Sequence, residues 1–467
     1  MNQRLSQLCY ALIRTVVLFF ACQSRQNYWR LNELSADQLA WPVKGPHGYD
    51  DAQWIQLHYH TWDNMHATVG DAWDLFFMGL GFCNDAITNL EERSAESMNI
   101  SEEDRAAFIA ELRANRAYYY LGILDVWDDL PLLSQEEQNC GRFTRAAGYA
   151  MLATLYLNAE EWTGTARWDD CITYCDHLIN GDGGGQNGPI QLDDDIYKPF
   201  SNTNSEDSRE NILVLSYDYM ASGVKCGWAG DFYHFNQRYI YGGTDNGNDG
   251  VVVIPSAYDM FEDNDLRKQN WMLIGPQYDY NTGEPVVGTS EYTGQPLVFV
   301  REIMRYSEGD TTTSTMYTGE ENSGARFNKY NPGPLSDPNY YGNDWVLYRL
   351  TEFYFDKAED LMCQNGGKAT QEAVDLINAC RQRAFSAEDW PNEKYTTATL
   401  TLDELLAERG REFIFEGKRR TDLIRFGKFL TESWWDHTPT TSEHLKIFPI
   451  PYDQTSLNPN LVQNEGY

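Results

Sequence analysis

Apolar positions recur at helical spacing towards both ends of the chain, and the middle is polar and turn-rich. Around Ala114-Asn115-Arg116-Ala117-Tyr118-Tyr119-Tyr120-Leu121, the spacing predicts a helix over 103–127. A second helix is predicted over 144–160. Thr144 stands at its N-cap, and Ala146, Ala147, Ala150, Ala153, Leu155, Tyr156 and Ala159 follow. The small residues permit close helix packing. Trp162 and Gly164 lie where this helix breaks, and a partner runs through Cys171-Ile172-Thr173-Tyr174-Cys175 to near Gly181. The pair spans about 35 residues, close to the tetratricopeptide (TPR) period. The arrangement recurs with a helix over 344–363, a turn at Gly366-Gly367, and a partner over 370–385 with Ala373, Leu376, Ile377 and Cys380 on one face. Thr401 and Glu404 form a T-x-x-E capping box for a further helix, Gly417 is a natural stop, and another helix runs from about Arg420 to Leu430.

Between 181 and 343 the texture changes. Gly183-Gly184-Gly185 opens the segment, and Gly, Asn, Asp, Thr, Tyr and Pro dominate 220–343. Ile212-Leu213-Val214-Leu215 and Leu297-Val298-Phe299-Val300 read as short strands. The expected organisation is a single unit over 1–467: an N-terminal helical part with TPR-like pairs (1–200), a loop-rich insert (201–343) and a C-terminal helical region (344–467). Long loops on a rigid helical scaffold are where binding usually sits, and the aromatic content of these loops disfavours a disordered linker.

Charge narrows the partners. The 467 residues include 36 Lys+Arg against 70 Asp+Glu, a formal net charge of −34. Such a field repels phosphate backbones and anionic lipid heads, which argues against nucleic acid and favours a neutral or cationic ligand. The chain also carries 14 Trp, 30 Tyr and 21 Phe. A sugar ring has an apolar C–H face and hydroxyl edges, so a surface of Trp and Tyr offers it both stacking and hydrogen bonds. Most such rings are expected in the core. The candidates for ligand contact are Trp54 and Trp62, in a polar aromatic segment that begins Gly48-Tyr49-Asp50-Asp51, and Trp228, Tyr239 and Tyr241 in the Gly/Asn-rich middle. Asp51, Asn236 and Arg238 are candidates for hydrogen bonds to hydroxyls.

Catalytic chemistry has little support in the motifs. Glu404, Glu408, Arg409, Glu412, Glu416, Arg419, Arg420, Asp422 and Arg425 are dense in charge, but glycoside hydrolysis needs two acids facing one bond across a cleft. Acids and arginines on consecutive helical turns read instead as pairs that fix helix against helix. No G-x-S-x-G elbow or Walker-type loop is present. His58, His60 and His66 lack a matching acidic or Cys block at metal-ligand spacing. Asp193-Asp194-Asp195 lacks an EF-hand pattern and reads as a solvated acidic loop. Nine cysteines occur without a CxxC pair. Cys171 and Cys175, on adjacent helical turns, read as buried thiols. No cofactor and no metal are expected.

The start of the chain carries two readings. Arg4, the apolar stretch 11–20 and Ala21-Cys22 resemble a lipoprotein signal with Cys22 as the acylated residue. Arg14 interrupts that run and Phe19-Phe20 are large, so the same residues also read as an ordinary helix of the fold ahead of Gln26-Asn27-Tyr28-Trp29, in a chain that begins late and lacks its export signal. No later run reaches the roughly 18 apolar residues of a membrane span.

The C-terminal third carries a family pattern. Arg349-Leu350-Thr351-Glu352 leads to Lys357-Ala358-Glu359-Asp360, then to Leu376 through Ala384, Leu406-Ala407-Glu408-Arg409-Gly410-Arg411-Glu412-Phe413 and Glu416 through Gly427. Ile447-Phe448-Pro449-Ile450-Pro451, Asn458-Pro459-Asn460-Leu461 and Gln463 through Tyr467 close it. With Tyr28 through Asp37, His60-Thr61-Trp62 and Ala117 through Leu121, these blocks resemble the SusD/RagB family over nearly the whole chain. The resemblance implies a mostly α fold, with TPR-like helical pairs and a loop-rich ligand-binding face. It implies a surface-exposed lipoprotein of the outer membrane, a nutrient-binding partner of a SusC-like TonB-dependent transporter, which captures oligosaccharides for carbohydrate uptake and catalyses nothing. The family departs from this chain at the start, where an export signal, a lipid-bearing Cys and a longer lead-in are usual. The rival readings are a glycoside hydrolase on a helical scaffold and a cytoplasmic TPR-type scaffold that binds peptides.

Overall fold

The computed structural model describes residues 27–98, 100–127, 143–185, 187–217, 228–333, 335, 339 and 341–467; Cys22 lies outside them. Helix α1 (Asn27–Glu33) packs on α2 (Ala67–Glu91), which pairs with α3 (Glu102–Trp127). Two glycines set how closely α2 and α3 approach. A Cβ at Gly79 would stand 2.4 Å from Tyr119, and one at Gly122 would stand 2.4 Å from Phe76. Each ring sits in the notch that the missing side chain leaves.

The ladder continues through α4 (Arg145–Leu157), α5 (Trp168–Ile179), α6 (Leu350–Gln364) and α7 (Gln371–Arg381), with α4 on α5, α5 on α6 and α6 on α7. The local signals act as their chemistry predicts. Thr144 caps α4 by accepting the Ala147 N–H at 3.1 Å. Gly164, Gly181, Gly366 and Gly367 all take left-handed backbone at the turns between helices. Cys171 and Cys175 are buried free thiols with their sulfurs 3.9 Å apart.

Three boundaries differ from the sequence expectation. The helix expected over 144–160 ends at Leu157, and a short helix restarts at Ala159–Thr163. The helix expected over 344–363 begins only at Leu350. Trp345–Arg349 is a strand, β4, paired antiparallel with β1 (Asn211–Leu215), and all five of its residues are buried. The run Trp-Val-Leu-Tyr suits a strand buried on both faces, and only a partner some 130 positions earlier reveals it. Helix α8 (Leu402–Phe413) has half of its expected capping box. Thr401 accepts the Glu404 N–H at 3.1 Å, but the Glu404 carboxylate turns away to Arg411 and the Tyr395 hydroxyl. Helix α9 (Arg419–Arg425) ends before Leu430, where Gly427 is left-handed.

The charged series of α8 and α9 is buried and paired. Arg267, from the loop-rich segment, meets Asp265 at 2.8 Å and both Glu408 and Glu412 of α8 at 2.9 Å. Arg349, at the end of β4, meets Glu210, Glu412 and Glu416, each at 2.9 Å. Lys329 reaches Glu416 at 2.6 Å. Arg409 meets Asp356 of α6 and Asp422 of α9, both at 2.8 Å. Burial alone would raise the Glu412 carboxyl, yet Arg349, Arg267, Arg383 and Lys329 hold it down at about 2. These pairs are a latch between helices, β4 and loops. Among the described residues, no helix is long and apolar enough to cross a membrane.

Candidate functional site

The ring candidates divide by exposure. Trp54 is buried: its face stacks on Trp41 at 4.7 Å, the Arg30 guanidinium lies 4.8 Å from its ring centre, and its indole N–H donates to Asp50 at 2.7 Å. Trp62 is buried against Phe448 and donates to the Tyr467 hydroxyl at 2.7 Å. Trp228 packs among Tyr330, Trp345 and Phe327 in the main core. Tyr241 is buried, and its hydroxyl donates to Asn328 at 2.6 Å. The expectation that these four rings face ligand is therefore corrected. Each is enclosed by partners remote in sequence, and a sugar ring cannot lie on an enclosed face.

The other four candidates stay within reach of solvent. Asp51 is exposed in a turn where Asp50, Asp51 and Ala52 have φ of 40°, 54° and 64°. Among the described residues, no hydrogen bond, ion pair or ring contact joins Asp51 to the 236–241 segment. Asn236, Arg238 and Tyr239 do belong together. Residues Gln237–Tyr241 form one tight helical turn that points Gln237 and Tyr241 inward and leaves Tyr239 38% exposed. The Arg238 guanidinium sits 4.8 Å from the Tyr239 ring centre and donates to its hydroxyl at 3.0 Å. Asn236 donates to the Val287 carbonyl at 2.8 Å.

That last bond ties the turn to a hairpin over 275–299, whose base is β2 (Gly275–Pro276) paired antiparallel with β3 (Val298–Phe299). Val286, Leu297 and Phe299 point inward and form a small core of their own with Ile240 and Leu273. The period of two then turns Tyr278, Val287 and Val298 outward. Tyr280 follows in the loop; its N–H donates to the Tyr239 carbonyl at 2.9 Å, and its ring closes over Gly242, where a Cβ would stand 3.2 Å away. Tyr239, Tyr278 and Tyr280 thus share an exposed face edged by Asn236 and Arg238. Neither Tyr278 nor Tyr280 was a sequence candidate. The alternation of Gln277-Tyr278-Asp279-Tyr280 before a turn carried the signal.

The tip of this hairpin is pinned. The buried Glu321 carboxylate accepts the backbone N–H groups of Thr289 (2.7 Å), Ser290 (3.1 Å) and Tyr292 (2.7 Å), and pairs with His234 at 3.1 Å. Burial opposes its ionisation, but His234 and these N–H groups hold the carboxyl at about 2. Glu321 thus fixes the 289–292 turn, while the turn that carries Tyr280 closes separately, the Asp279 N–H donating to the Glu284 carbonyl at 2.8 Å.

The remaining candidates are structural. His58, His60 and His66 are buried, and each ring meets a backbone carbonyl: Trp435 at 2.9 Å, Ser35 at 2.8 Å and Gln53 at 3.1 Å. Asp193 is buried rather than solvated, and accepts from the Ser208 hydroxyl at 2.6 Å and the Arg209 N–H at 3.0 Å. A cavity of about 80 Å³ between the helices is lined by Glu352, Glu416 and Asp422 among others. Its acids are paired with Lys418, Arg349 and Arg409 at 2.8–2.9 Å.

Comparison with known proteins agrees with this architecture. The SusD family profile matches residues 180–467. The starch-binding protein SusD of Bacteroides thetaiotaomicron is 38% identical over 141 residues, a match that covers 29% of this chain and only 23% of that protein. SusD-like protein P25 of Formosa agariphila is 21% identical over 468 residues, covering 86% of this chain and 80% of its own. Surface glycan-binding protein A from Bacteroides thetaiotaomicron, solved with laminarihexaose, superposes with a TM-score of 0.69 at 20% identity and covers 98% of this chain and 99% of its own. A SusD superfamily protein from Parabacteroides distasonis superposes at 0.74 and 16% identity over the full length of both chains. At such identities the superpositions speak for the fold, which is mostly α with TPR-like pairs, as the periodicity implied. The family match covers more than half of the chain: this protein belongs to the SusD family.

Proposed function

We propose that this chain captures neutral oligosaccharides on the tyrosine face of its loop region, without cleaving them, and passes them to a SusC-like TonB-dependent transporter in the outer membrane. The observation that carries the reading is the exposure of Tyr239, Tyr278 and Tyr280 on two segments joined by the Tyr280 N–H to Tyr239 carbonyl bond, with Asn236 and Arg238 beside Tyr239. Sugars stack their C–H faces on such rings and bond through their hydroxyls at the rim. The net charge of −34 selects against polyanionic chains. The starch and laminarihexaose of its relatives are neutral glucans, in keeping with this class.

Capture without cleavage is supported by where the acids of the charged series are: Glu408, Glu412, Glu416 and Asp422 are each held by arginines in the interior. The three segments of the chain serve one unit, with the loops carrying ligand and the helices carrying the loops. At the cell surface the chain is a lipoprotein, with Cys22 as its anchor. An array of neutral oligosaccharides tests the reading, followed by product analysis of the bound sugars after incubation. Saturable binding with intact glycan is expected; cleaved products, or no bound spot, would refute it. Protease treatment of intact cells tests the location, and digestion of the protein is expected.

A further inference from the structure

Two consecutive tryptophans, Trp434 and Trp435, differ in exposure. Trp434 is buried, and His437 covers its face at 3.7 Å, nearly parallel. Trp435 packs on the main core but is only half-buried, and His58 meets its ring edge-on at 5.4 Å. Its indole N–H is nonetheless fixed, donating to the Ser314 hydroxyl at 2.7 Å. Tyr59 is similar: half-buried, touched edge-on by His58 at 5.5 Å, and held by its hydroxyl, which donates to Asp436 at 2.6 Å. Tyr317 is 47% exposed. Asp436 takes left-handed backbone (φ 52°), and the same carboxylate oxygen also accepts the Met316 N–H at 2.6 Å. A positive φ at a non-glycine residue persists only where surrounding contacts hold it. Here those contacts draw the 314–317 loop and Tyr59 together beside Trp435.

The charge around the cluster is unsuited to an anion. Asp436 is its central charge, and Arg305, which donates to the Tyr317 carbonyl at 2.8 Å, also faces Glu308 at 3.6 Å. Tyr317 lies three residues before Glu320 and four before Glu321, which pin the hairpin of the tyrosine face through the Tyr292 hydroxyl and the 289–292 backbone. One short segment therefore supports both aromatic clusters.

The geometry points to a second sugar-binding surface at Tyr59, Tyr317 and Trp435, with Asp436 as the hydroxyl acceptor, for the same class of neutral oligosaccharide. It rests on the glycan-capture reading above and adds a separate set of residues to it. Two surfaces carried by one loop layer would let a single chain hold a long glycan at two points, with the gain in avidity that follows.

The test uses the whole protein on an array of neutral glucan, mannan, xylan and galactan oligosaccharides, then titration calorimetry with the hexasaccharide that gives the strongest spot. Tyr317→Ala is the primary variant because its ring is exposed; Trp435→Ala is the second, accepted only if its melting temperature is preserved. Each is expected to weaken one of two binding events about tenfold, while the Tyr239→Ala/Tyr280→Ala pair removes the other. If both variants leave every isotherm unchanged and the Tyr239/Tyr280 pair abolishes binding, this second surface is wrong and glycan capture stands. If they alone abolish binding, the second surface is real and the tyrosine face is misplaced. If the unaltered protein binds no neutral oligosaccharide on the array, both proposals fall together.

Discussion

Arg267 and Tyr239 lie less than thirty positions apart in the loop-rich segment, and the protein uses them in opposite ways. Arg267 is fully buried, with a carboxylate on every side that its guanidinium presents. Tyr239 is 38% exposed and rests on a neighbour's guanidinium. The first belongs to a latch that joins loops to helices α8 and α9, and the second to a face turned towards solvent. Charged side chains, normally a surface feature, do the structural work here, while aromatic side chains, normally core, supply the surface. A buried ion lattice adds little net stability over an apolar core, but removing one member leaves its partners charged and unpaired. The latch is therefore unforgiving of change, whereas the half-exposed rings of Tyr239, Tyr278 and Tyr280 bury less for a substitution to lose.

Breaking the latch gives the largest expected effect. Arg349→Ala removes the guanidinium that Glu210, Glu412 and Glu416 share and leaves the three buried acids to Arg383, Arg267 and Lys329, one positive charge short. It is expected to cost about 3–5 kcal/mol, read as a lower midpoint in guanidinium unfolding, with glycan affinity lost only as the fold is lost. Acid attacks the same lattice. The Glu412 carboxyl is held at about 2 in the folded chain against an ordinary 4.5. Its stabilising contribution is complete above 4.5 and disappears as pH falls through that window, because the unfolded chain then binds the proton first. Asp422, also held at about 2 by Arg409 and Arg425 against burial, acts in the same direction. The melting temperature should therefore fall steeply below about pH 4.5; a flat profile from pH 5 to 3 would show that the lattice is not what secures these helices.

Aromatic substitutions sharpen the contrast. Trp54→Ala, which empties a stacked and bonded site, is expected to cost about 3 kcal/mol of stability and to leave the affinity of the folded protein unchanged. Loss of affinity without loss of stability would return Trp54 to the ligand face. Thr401→Ala removes one N-cap bond and should cost about 1 kcal/mol by thermal melting, the smallest of these effects.

How much of this was legible in the sequence depended on the range of the forces involved. Caps and turns at Thr144, Thr401, Gly164, Gly181 and Gly366-Gly367 are local, and their residues announce them. The strand at 345–349 is not local: its partner is at 211–215, and an apolar run of Trp, Val, Leu and Tyr has no period that separates a buried strand from a buried helix. Trp54, Trp62, Trp228 and Tyr241 looked like ligand platforms because their sequence neighbours are polar. Their burial comes from Trp41, Phe448, Trp345 and Asn328, which no window of sequence includes. The solvent-reachable placement of Tyr239, Arg238 and Asn236 was legible in their glycine-bounded turn, whereas that of Tyr278 and Tyr280 required the hairpin's alternation to be read outward as well as inward.

The central claim is that the tyrosine face holds the sugar and the charged lattice holds the fold. Titration calorimetry of the Tyr239→Ala/Tyr280→Ala double variant tests it most directly, with a neutral hexasaccharide that the unaltered protein binds. The account predicts a loss of affinity of tenfold or more, about 1.4 kcal/mol or greater, with the melting temperature unchanged. Unchanged affinity in a variant that melts normally would contradict it.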